Sequence, residues 1–252
     1  YPASQVGGVV SRIDQNTGVL CELIDTVYGP RKLGVNVVTM VNGYMVAIMA
    51  PDGGDGRKAG WLAYDMSDPR SPRLVSRVFD ARAWDLREPH SIGASSIGSG
   101  NVLAVQSQHG IEFWDWTDAE NPVQLSQLRI EGVNSGDYSN VAWQLVWQAP
   151  YVYVARGNAG VTIVDAADPS APSVIKTVPV RELGGFSVGP IFVMGNRMVL
   201  SSAQSTEGFA SIDLSDPIQP RVAAVNQERP FFYYASCFDG KTLVLSTRER
   251  GA

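Results

Sequence analysis

The chain of 252 residues has two histidines, His90 and His109. An imidazole pair can hold a metal ion or share acid–base work near neutral pH. No third ligand stands near them in the sequence, so exposed or hydrogen-bonded histidines remain the competing reading. A second set is acidic: Glu88, Asp137, Glu182 and Glu228. Two carboxyl groups about 5–10 Å apart can hydrolyse a glycosidic bond, one as acid and one as base or nucleophile. A third is the stretch PDGGDG at 51–56, with two aspartates among glycines. It lacks the ligand spacing and closing Glu of an EF-hand loop, and reads as a flexible loop or, alternatively, a calcium site. Arg31, Arg156 and Tyr138 add groups that could hold a ligand. Trp84, Phe186, Phe231 and Phe232 could stack on a sugar, receive a peptide or plug a junction between sheets. Trp143 and Trp147 are spaced for a strand and read as core. No Gly-x-Ser-x-Gly elbow, phosphate-binding loop or dinucleotide fingerprint is present.

The elements that must position these residues are written in a repeat. Residues 60–72 read GWLAYDMSDPRSP, 110–122 GIEFWDWTDAENP, 160–172 GVTIVDAADPSAP and 208–220 GFASIDLSDPIQP. The strand-ending aspartates Asp65, Asp115, Asp165 and Asp213 are spaced by 50, 50 and 48 residues. Leading glycines and closing prolines keep the same step. A worn copy, VVSRIDQNTGVLCELIDTV at 9–27, carries Asp14 and turns through Asn16-Thr17-Gly18.

The repeat has a structural chemistry. Val161, Ile163 and Val164 are β-branched and suit a buried pleated surface. The second aspartate can accept backbone N–H groups two residues on. The proline after it presets φ for a turn. The last proline opens a strand that must lie at an edge, because proline cannot donate to a ladder. A metal reading of the Asp pairs is the alternative, but the turn already uses both side chains.

Two further strands precede each motif. They read VNVVTMV (35–41) and GYMVAIMA (43–50), SIGASSIG (91–98) and GNVLAVQSQ (100–108), NVAWQLVW (140–147) and PYVYVARG (150–157), SVGPIFVM (187–194) and GNRMVLSSA (195–203). Four-strand units at this spacing predict an all-β fold, a β-propeller of four-stranded antiparallel blades. The expected blades are about 34–80, 90–130, 140–179 and 186–226. The chain opens on the outer half of a unit, 8–27, and ends on the inner half of one, 229–252. Joined, these would form a shared closing blade, making five blades in a single domain over 1–252. The alternative is a fragment of a larger propeller. Closure would put Cys21 and Cys237 about three strand spacings of ~4.8 Å apart, beyond the ~7 Å reach of a disulfide. The loops that join blades, and those joining second to third strands, would then gather at one mouth. Arg31, Glu88, His90, His109, Tyr138, Arg156, Glu182 and Glu228 all fall in such loops.

Composition narrows the partners. The net charge is −5, and the lysines are only Lys32, Lys58, Lys176 and Lys241. Nucleic acid needs a positive surface to displace counterions, so it is not an expected partner. No apolar run approaches the ~18 residues of a membrane span. The chain does not open on Met, which reads as a processed or trimmed start with any export signal outside it.

The stretches IVDAADPSAP, AYDMSDPRSP and SIDLSDPIQP resemble the LVIVD-repeat family. There a Gly-led apolar strand runs into Asp-x-Ser-Asp-Pro and then Pro. The resemblance covers all five units, weakly in the first and only in the inner half of the last. It implies a β-propeller exported to, or attached at, the outer surface of bacteria or archaea. It implies no shared enzymatic activity, so no catalytic residue carries over. Members often have a His where the inner strand begins, which implies a structural role for His90. The chain departs from the pattern at Ala119 and at Asn16–Gly18. The resulting expectation is a secreted or cell-surface module that binds a protein or polysaccharide partner, without a cofactor. A glycan hydrolase using the mouth carboxylates is the alternative. Membership in a larger assembly or longer chain stays open.

Overall fold

The computed structural model describes residues 8–14, 16–17, 20–27, 33–51, 60–78, 96–107, 109–134, 142–202, 208–226, 233–238 and 242–247. By backbone proximity the chain divides into two compact units, Tyr1–Gln108 with Glu112–Leu125, and His109–Ile111 with Ser126–Ala252.

In the first unit β1 (Gly8–Ile13) and β2 (Leu20–Val27) form a two-stranded sheet. Next come β3 (Leu33–Val41), β4 (Tyr44–Pro51), β5 (Gly60–Asp65) and β6 (Arg73–Val78), a four-stranded sheet in chain order. Asn42-Gly43 joins β3 to β4 with φ of 47° and 80°. That is the left-handed pair a two-residue hairpin needs to match strand twist. A second sheet comprises β7 (Ser96–Ser99), β8 (Val102–Ser107), β9 (Gly110–Asp115) and β10 (Val123–Arg129). Val41, Val46, Ile48, Trp61, Ala63, Leu103, Val105, Trp114, Trp116 and Ala119 form one core. Trp61 meets Trp114 edge-on at 4.9 Å between ring centres, a geometry the ring quadrupoles favour. Ala119, standing where the repeat has Pro, is buried in this core.

The second unit holds β11 (Gln144–Gln148), β12 (Tyr151–Ala155), β13 (Val161–Asp165) and β14 (Ser173–Val178), again in chain order. A 3₁₀ turn, Val180–Glu182, leads to β15 (Val188–Met194), β16 (Arg197–Ser202), β17 (Phe209–Asp213) and β18 (Arg221–Asn226). Its core runs from Trp143, Tyr153, Val161 and Ile163 through Leu183 and Phe186 to Ile191, Met198, Leu200 and Ile212. Phe186 thus packs inside, and Trp143 is core as expected, while Trp147 is only half-buried. Burial raises the Tyr153 phenol pKa, and its hydroxyl donates to the Pro217 carbonyl at 3.3 Å.

Every four-stranded sheet ends on the strand opened by the closing proline: β6, β10, β14 or β18. The edge position follows from the missing N–H. The partner strands shift register at Ala63/Tyr64, Ile163/Val164 and Ser211/Ile212. The skipped residues Val75, Ile175 and Ala223 are one-residue bulges that re-aim an exposed edge.

The expected closing blade stands as two two-stranded sheets, β1–β2 and β19 (Tyr233–Phe238) with β20 (Leu243–Thr247). Cys21 and Cys237 lie on β2 and β19; their side chains fall outside the described residues. Of the expected strand 91–98, only residues from Ser96 onward are described. Among the described residues no helix is long and apolar enough to cross a membrane.

Candidate functional site

Each sheet has two chemically different ends. At one end lie the aspartate turns. Asp65, Asp115, Asp165 and Asp213 each accept the backbone N–H two residues on, at 2.8–2.9 Å. The second aspartates do the same: Arg70, Glu120, Ser170 and Ile218 donate to Asp68, Asp118, Asp168 and Asp216 at 2.9–3.2 Å. The expected turn forms, and the first aspartate makes one as well. In the worn copy Asn16 and Thr17 donate to Asp14. These side chains are turn acceptors first. Among the described residues no three His, Cys, Asp or Glu cluster as metal ligands would.

The opposite end begins at the leading glycine. Gly160 has a φ of +94°, and a Cβ there would fall 2.0 Å from the Val178 carbonyl oxygen. At Gly110 it would fall 2.0 Å from that of Leu128. The edge strand's backbone crosses so closely that only glycine fits.

This end also buries polarity. Among the described residues nine polar or charged side chains are buried: Ser76, Ser96, Gln106, Ser107, Glu112, Arg156, Thr162, Ser201 and Ser202. Eight of the nine lie in the half of their sheet away from the aspartate turns, and Ser76, opposite Ala63, lies at mid-strand. In the first unit Glu112 is 1% exposed and accepts from the Trp114 indole N–H at 3.1 Å.

In the second unit the turn Ile130–Asn134 collects two of the expected residues. The Ile130 N–H donates to the His109 carbonyl at 2.9 Å. The His109 Nδ1 lies 3.3 Å from the Val133 carbonyl. A carbonyl only accepts, so this nitrogen carries the proton. Arg156, 6% exposed, reaches the same turn: its Nη2 donates to the Glu131 carbonyl at 2.6 Å. Its Nη1 donates to Thr162 Oγ1 at 3.1 Å, and that oxygen is 2.8 Å from Thr177 Oγ1. The Arg156 Nε is buried and has no hydrogen-bond partner among the described residues. Burial pulls the guanidinium pKa below its ordinary value, and the Glu131 charge opposes that pull. Gly157 and Val188 exchange backbone hydrogen bonds at 2.8 and 2.9 Å, tying this loop to the start of β15.

Glu182 is not drawn into this group. Its carboxylate is half exposed and sits 3.5 Å from the Arg181 guanidinium, its neighbour in sequence. Arg31, Glu88, His90, Tyr138, Glu228 and Asp137 lie outside the described residues, as does most of PDGGDG. Sequence reading missed Glu131, Gly132, Thr162 and Glu112. For Glu112 and Thr162 a signal existed, since each is a polar residue inside an apolar strand two places after the motif glycine. Glu131 gave no signal because its contribution is a backbone carbonyl.

Residues 141–179 match the family model of the LVIVD repeat. The chain carries an LVIVD repeat. That repeat contains β11–β14, the turns at Asp165 and Asp168, and both Arg156 and Thr162. No curated protein matches the chain. Among solved structures, a chain from the S. cerevisiae complex of a Dbp5 variant with Nup159, a Gle1 variant, IP6 and ADP is similar, with a TM-score of 0.43 and 8% identity. That match covers 75% of this chain and 42% of the other.

Proposed function

We propose that the chain is a β-propeller of five four-stranded blades, closed by a blade assembled from β1–β2 and β19–β20. In this reading it is a non-catalytic, extracytoplasmic module that binds a protein or glycan partner through the Gly-led ends of its blades. The observation that carries the binding role is the meeting of His109 and Arg156, from loops of consecutive sheets, on the turn Ile130–Asn134. Polar groups buried at that end have a cost that a purely structural end avoids, as the aspartate turns do. Four four-stranded sheets and two half-sheets support the blade count, and the LVIVD repeat supports the propeller.

Two measurements test the reading. Size-exclusion chromatography with small-angle scattering on residues 1–252 should return a monomer with a radius of gyration of about 18 Å. An elongated or aggregated species would overturn closure, since open blade edges recruit partners. Capture from envelope extracts and a glycan array should then yield a partner. Turnover of an oligosaccharide panel, lost in Glu→Gln variants at 88, 182 or 228, would instead establish the hydrolase.

A further inference from the structure

We propose that Arg156 anchors an oxyanion site that takes a carboxylate of the ligand, an inference that rests on the loop-end binding just described. The fold does not ask for arginine at this position. Arg156 N–H donates to the Gly160 carbonyl at 2.8 Å, and Ser202 N–H makes the same bond to Gly208 in the next sheet, at 3.0 Å. Ser202, which occupies the corresponding place, is a small neutral residue and is equally buried.

A buried guanidinium needs compensation, because water no longer solvates its charge. Here its hydrogen bonds go to neutral acceptors, the Glu131 carbonyl and the Thr162 hydroxyl, and the Glu131 carboxylate acts on it through charge without a hydrogen bond. Two of its five N–H groups are used by these bonds. Nε has no acceptor. Beside the group stands Gly132, which is exposed and carries no side chain. A Cβ at Gly132 would stand 3.0 Å from Nη2.

The ligand chemistry follows from the donor. A planar fork with one positive charge matches a carboxylate, which is planar, bidentate and singly charged. A dianion such as phosphate would add repulsion from a chain of net charge −5.

The test is NMR on the ¹⁵N-labelled full chain. The Arg156 Nε–H cross-peak is assigned by its loss in Arg156→Lys. Sodium acetate is titrated against sodium chloride at constant ionic strength, and inorganic phosphate in a parallel series. The expected result is a saturable shift of this cross-peak with acetate. No shift, or a shift linear in every salt, would overturn the site. A saturable shift with phosphate alone would overturn the carboxylate assignment. If the Lys variant fails to fold, ¹³Cδ-edited correlation assigns the peak in the native chain. Equal capture of a partner by native and Lys proteins would sink this inference and leave the loop-end reading standing.

Discussion

The two ends of the β11–β14 sheet solve the same problem in opposite ways. At the aspartate end, Asp165 and Asp168 satisfy N–H groups two residues away, and the polar atoms stay near water. At the Gly160 end, Arg156 and Thr162 are buried and depend on partners from other strands and turns. The first end is local, so it can be copied in every repeat with little regard for its surroundings. The second end is non-local and differs between sheets: Arg156 and Thr162 in one, Ser202 and Ala210 in the next. An end that varies while the scaffold repeats is where binding specificity can be placed.

The sharpest way to break this contrast is at the glycine. Gly160→Ala combines left-handed backbone strain with a clash at the Val178 carbonyl, and should cost about 4 kcal/mol of stability by urea unfolding. Gly110→Ala has the clash without the positive φ and should cost about 3 kcal/mol. Equal losses would mean that backbone strain contributes little.

Thr162→Val removes the oxygen that accepts from Arg156. It should cost about 2 kcal/mol, because a charged donor is left buried without its partner. In an Arg156→Met background the same change should cost far less, a coupling that a double-mutant cycle reads directly. Additive effects would show that the guanidinium does not depend on Thr162.

The smallest effect belongs to the aspartate end. Hydrogen bonds from Thr117, Asn121, Ser170 and Ser215 hold the carboxyls of Asp115, Asp118, Asp168 and Asp213 below their ordinary values. A depressed folded pKa contributes stability above the unfolded value, near 3.9, and loses it as pH falls through the folded value. The urea midpoint should therefore drop modestly below about pH 4. Asp→Asn changes at these four positions should flatten that drop. An unchanged acid slope would show that the turns contribute nothing through ionisation.

The scaffold was legible because its signals are short-range. The edge position of β14 follows from Pro172, and the turn from Asp168, each within a few residues. Val161, Ile163 and Val164 are fully buried, as β-branched residues in such a strand should be. The candidate site was legible only as a set of loops. Reading loops placed His109, Arg156 and Glu182 together, whereas the structure joins the first two on one turn and leaves Glu182 at the surface. Nothing in the residue types separates them, because the separation depends on which carbonyl faces which loop.

By itself the sequence determined the repeat, the aspartate turns, the glycines and the proline-opened edges, since each is enforced by backbone sterics or an i→i+2 hydrogen bond. Only the tertiary structure decided that Arg156 is buried and that the Glu131 carbonyl and Thr162 hydroxyl receive its protons. Those contacts join residues 25 and 6 positions apart. Burial and partner choice at such a site arise from strand register and loop crossing, which no single stretch of chain encodes.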